Sequence, residues 1–127
     1  MALIPLNTFK TKTAILTTSS TSTIYTAPVG VTSIILMAQV ANVTTQTASV
    51  TFGHYRNLPV LADSQGNGSQ AGSVFTEIIK NFGIPGNDSA SLVSGKMIIE
   101  TLDSVRAYSS VNGSLKITLS ILETANA

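Results

Sequence analysis

Val, Ile and Thr recur along the chain in short runs that Gly, Asn, Asp and Pro interrupt. Such a pattern builds many strands and few or no helices. The clearest strand alternates Ala48, Val50 and Phe52 with Thr47, Ser49 and Thr51, so that one face is buried and the other wet. Residues 13–18, Thr23–Thr26 and residues 97–100 are further strands, with turns at 19–22 and at Pro28-Val29-Gly30. Residues 33–43 form a long strand with Ile34, Leu36, Ala38 and Val40 on one face. Ile35 and Met37 load its other face, which places the strand centrally or under a partner. Residues 74–82 have apolar side chains at helical spacing, but their aromatic and Ile content and the flanking turn signals make them a strand.

Near the C-terminus, Asn112-Gly113 separates two alternating runs and predicts a hairpin. A three-residue loop of Val111, Asn112 and Gly113 pairs Ala107 with Ile117 and Val105 with Leu119, and sets Tyr108 opposite Lys116. It also gives Gly113 the left-handed position. About eight short strands without crossover helices imply two packed antiparallel sheets, an all-β sandwich for which the jelly roll is a candidate topology. Residues 1–11, where Pro5 excludes helix, read as an extended N-terminal arm, and residues 12–127 as one domain. Residues 61–73 hold three glycines and no periodicity, and read as a long exposed loop. Asp63, Gln65, Asn67 and Gln70 are its candidate contact residues.

Charge narrows the function. Only 13 of the 127 residues are charged, whereas 33 are Ser or Thr. Free globular domains usually carry about twice that charged fraction. A surface of short hydroxyls suits burial against neighbouring subunits, although strands also favour Thr on their own account. The seven Lys and Arg are scattered singly, so no basic stripe for nucleic acid exists. The longest apolar stretch, residues 34–38, is too short to cross a bilayer. Residues 1–6 lack a basic leader with a long apolar core, so the chain is expected to be used without export.

Chemistry-bearing residues are few. Cysteine is absent and His54 is the one histidine, at the end of a strand, which suits a rim residue better than a catalyst or zinc ligand. Glu100 and Asp103 flank a turn; they are expected to be solvated carboxylates rather than a calcium site, since no acidic loop accompanies them. Four Asn-x-Ser/Thr sequons, at Asn42, Asn67, Asn87 and Asn112, are expected by chance in so hydroxyl-rich a chain. Tyr55 with Arg56 and Asn57, or Tyr108 with Arg106, would offer a ring and polar groups to a surface glycan. No enzyme activity and no cofactor are expected.

Three blocks carry a resemblance. Residues 23–43 run Thr-Ile-Tyr-Thr-Ala-Pro-Val-Gly into a strand ending Gln-Val-Ala-Asn-Val. Residues 95–105 take a Gly-Lys strand to an acidic turn, and residues 115–123 close on Ser-Ile-Leu-Glu. In this order, over about half the chain, they resemble small virion structural proteins of tailed bacteriophages, including phages of cyanobacteria. Where that pattern has Glu-x-Gly-Asp, this chain has Glu100-Thr-Leu-Asp103, so the glycine of the tight turn is replaced. The resemblance implies a non-enzymatic virion component on a β-sandwich, made in the host cytoplasm. A capsid decoration (cement) protein is the leading expectation, contacting the major capsid or other virion proteins as a homo-oligomer. A tail, neck or fibre-base component is the alternative within that class, and a carbohydrate- or receptor-binding module the alternative outside it. Leu3, Ile4, Leu6 and Phe9, apolar residues that an arm cannot bury locally, are the candidate assembly contacts.

Overall fold

A computed structural model describes residues 7–57 and 74–125, and among these there is no helix. Nine strands follow in order: β1 (Asn7–Ile15), β2 (Thr23–Thr26), β3 (Val31–Asn42), β4 (Ala48–Arg56), β5 (Val74–Ile84), β6 (Ser89–Ser91), β7 (Met97–Ile99), β8 (Ser104–Ser109) and β9 (Leu115–Ala125). One sheet has the order β1-β9-β3-β6, with β7 also on β3; the other has β2-β8-β4-β5. Every pairing is antiparallel. Since β6 and β7 both pair with β3, they act as one interrupted strand. The chain then crosses between two four-position sheets in the order of a jelly roll. The core between the sheets includes Ile35, Ala38 and Val40 of β3, Val50 and Phe52 of β4, and Leu115, Ile117, Leu119 and Ile121 of β9.

The expected all-β sandwich is therefore present, and residues 74–82 are strand. The first strand starts earlier than the pattern suggested, at Asn7, and pairs along its length with β9. Two corrections concern pairing and phase. The predicted C-terminal hairpin does not form: β8 pairs with β2 and β4, and β9 with β1 and β3. Ala107 pairs with Phe52, Tyr108 with Thr51 and Val105 with His54, while Ile117 lies between Ala14 and Val40. Both runs bury alternate residues into one interior from opposite sides, and alternation alone cannot tell an adjacent strand from a facing sheet.

The connection between them is held from outside. Gly113 N donates to Leu16 O at 3.0 Å, Ser110 N to Ser49 O at 2.9 Å, and Thr18 N to Asn112 Oδ1 at 2.9 Å. Gly113 does adopt the expected left-handed conformation, at φ 78°. The second correction is in β3, where the register against β9 steps from Ile35↔Ile121 to Met37↔Ser120, leaving Leu36 as an extra residue. This bulge turns Ser33 and Ile35 inward together with Ala38, Val40 and Asn42. Apolar residues on both faces of that strand thus mark a change of phase.

Candidate functional site

The charged side chains converge where β4 meets the turn before β8. Asp103 is 2% exposed, and its Oδ2 lies 2.5 Å from Arg56 Nε and 3.5 Å from His54 Nε2. Its Oδ1 accepts from Asn57 N at 2.9 Å. The turn backbone is tied as well: Ala27 N donates to Asp103 O and Leu102 N to Ala27 O, both at 2.9 Å. Arg56 also reaches Glu100, with Nη2 2.7 Å from Oε2. The expectation of two solvated turn carboxylates is corrected for Asp103, which is buried against an arginine. One guanidinium bridges both acids, so the position a cation would take already holds positive charge. Among the described residues, the ion pairs of His54 lead only to Asp103, and no group of three acidic or histidine side chains is placed to hold a metal ion. The cluster fastens the turn before β8 to the end of β4.

A second polar group lies between the sheets. Tyr25 of β2 crosses the core, donates its hydroxyl to the Glu123 carboxylate on β9, and accepts from Ser33 Oγ on β3 at 2.7 Å. Lys10 Nζ on β1 stands 3.2 Å from the other carboxylate oxygen. Burial, and then the hydrogen bond to Glu123, push the Tyr25 phenol well above its ordinary value of 10.0. The hydroxyl is held as a neutral donor, which a buried carboxylate needs. The signal for Glu123 was its phase, because it continues the inward set Leu115, Ile117, Leu119 and Ile121. Arg106 sits 3.7 Å above the Tyr55 ring centroid, so one face of that ring is covered by a cation.

The outer face of the first sheet differs in kind. Phe9 pairs with Leu122, Leu122 with Ile34, and Ile34 with Ile98, giving one apolar row across β1, β9, β3 and β7. Its ends are uncovered, Phe9 at 75% exposure and Ile98 at 59%. The rows beside it are Asn7–Thr124–Thr32 and Thr11–Ser120–Met37. Lys116 is the one charged strand residue on this face among the described residues, and it lies toward the far end between Ile15 and Ala41. Of the sequence candidates, Phe9 falls on this row. Leu3, Ile4, Leu6, Asp63, Gln65, Asn67 and Gln70 lie outside the described residues. Leu122, Ile34 and Ile98 were not singled out, since only register shows that residues so far apart in sequence share one line.

The chain matches no family model, no curated protein and no solved structure.

Proposed function

We propose that this chain is a non-enzymatic virion structural protein of a tailed bacteriophage, and that it serves on the head as a capsid decoration protein. The observation that carries the reading is the outer face of the first sheet, where, among the described residues, an apolar row with exposed ends at Phe9 and Ile98 lies beside hydroxyl-bearing rows with almost no charge. A surface of this kind gains free energy when covered and desolvates few charges in doing so. The resemblance of residues 23–43, 95–105 and 115–123 supplies the phage context. The jelly roll, used by many capsid domains and also by lectins, supports it by analogy of fold. A cement subunit works by mass action, many modest contacts each favouring the closed shell over separated subunits.

The test is co-sedimentation of the purified protein with phage heads that lack it. Saturable binding at a fixed copy number per capsid subunit, with raised resistance of the head to heat, is the expected result. Rings or tubes that ignore heads would move the protein to the tail, neck or fibre base. Binding to neither, together with a sugar-dependent thermal shift, would replace the proposal with a glycan-binding module.

A further inference from the structure

We infer that the outer face of the β1-β9-β3-β7 sheet is a contact surface between two copies of this chain, packed face to face across the row Phe9, Leu122, Ile34 and Ile98. The inference deepens the assembly reading above and rests on it.

One long edge strand of each sheet is guarded against pairing with another chain. Among the described residues β1 is an edge strand, and Lys10 and Lys12 project from it on the inward side, beside Ile121 and Leu119. An inward-pointing charge on an edge strand blocks addition of another strand. β5, which with β2 bounds the other sheet among the described residues, is broken by two register shifts against β4 and carries Asn81 at φ 50°. Bulges of that kind bend an edge away from straight pairing. Among the described residues the outer face carries neither an inward charge nor a broken edge of this kind.

Charge selects the occupant. Lys116, at one end, is the single charged strand residue of the face among the described residues, so its centre holds nothing to attract a charged partner. A second copy of the same face brings matching apolar and hydroxyl rows and no charge opposite the centre. The symmetry is available: a two-fold axis in the interface, parallel to the strands and between β9 and β3, sets each Phe9 over the second copy's Ile98. The same axis sets each Leu122 over the second copy's Ile34. Residue-to-residue reciprocity of this type defines an isologous interface. Three strands of about nine residues and the three-residue β7 and β6, at ~4.8 Å spacing and ~3.3 Å rise, give roughly 500 Å² of flat face per copy, at the small end of specific interfaces.

The experiment measures the mass of the full chain by light scattering behind a sizing column, for wild type, Ile98→Lys and Val111→Lys. Ile98 and Val111 are both exposed, so neither substitution enters the core. The wild type and Val111→Lys are expected as dimers or multiples of dimers, and Ile98→Lys as a monomer with an unchanged circular dichroism spectrum. A monomeric wild type at about a hundredfold above micromolar concentration, or an Ile98→Lys chain that keeps the wild-type mass, would overturn the inference. A second, independent readout is the paired variant Phe9→Cys with Ile98→Cys. These positions lie three strands apart in one chain, too far for an internal disulfide. Oxidation is expected to give a covalent dimer, and a product that stays monomeric counts against the interface. Head binding separates the two claims: a monomeric wild type that still saturates heads sinks this interface and leaves the cement reading standing.

Discussion

At the scale of single residues, the chain spends its few polar groups inside on fastening turns. Asn42 is the fullest case. Its Nδ2 donates to Gln46 O at 2.7 Å and Ile84 O at 2.9 Å, while its Oδ1 accepts from Thr44 N at 3.0 Å and Thr44 Oγ1 at 2.8 Å. Asn42→Ala removes a donor from Ile84 O and from Gln46 O, of which Gln46 O keeps Thr44 Oγ1 at 3.2 Å, and takes the acceptor from Thr44 N; it is expected to cost roughly 2–4 kcal/mol in urea unfolding. Burial of Asn42 also removes it from the sequons open to a modifying enzyme. Leu102, in the turn before β8, has φ 66°. A β-branched side chain tolerates that conformation least, so Leu102→Val is expected to lose about 1–2 kcal/mol. Leu102→Gly is expected within about 0.5 kcal/mol of wild type, because relief of strain offsets the lost contact and glycine's added entropy. If Val proved milder than Gly, side-chain packing rather than backbone strain would set the residue there.

At the scale of elements, strand identity was legible and strand partnership was not. Ala48, Val50 and Phe52 announced β4 by period, and the aromatic and Ile content of residues 74–84 outweighed their helical spacing. Period fails at bulges, since one extra residue exchanges faces; that is how Ile35 came to lie in the core where Ile34 was expected. It fails again for β8 and β9, whose inward residues meet across the sandwich. Close approach of β4 and β5 is a further feature without a pattern. At Gly53 a Cβ would meet Thr76 O at 2.3 Å and the Phe75 ring at 2.8 Å. Gly53→Ala is expected to force the two strands apart and cost roughly 1–3 kcal/mol. Adding Phe75→Ala is expected to recover little, because the nearer obstacle is backbone.

At the scale of the whole molecule, two devices join the sheets: an apolar interior, and the tie from Tyr25 through Glu123 to Lys10. Tyr25 holds its proton more tightly folded than unfolded, so the unfolded chain loses that proton first as pH rises. The stability contributed by this shift is complete below the ordinary tyrosine range near pH 10 and declines above it. Tyr25→Phe is expected to remove the decline and, at neutral pH, to cost about 1–3 kcal/mol for the lost bond to a buried carboxylate. Chemical denaturation at pH 7 and pH 11 reads both effects. The candidate surface was half legible: low charge and abundant hydroxyls pointed to burial against neighbours, but its line of four apolar residues exists only once register assembles it. A subunit whose outer face is closed by another copy gains stability from association, and that gain depends on concentration. Thermal unfolding of the full chain over a hundredfold range of protein concentration therefore tests the account most directly. The midpoint is expected to rise steadily with concentration; a midpoint that does not move would contradict it.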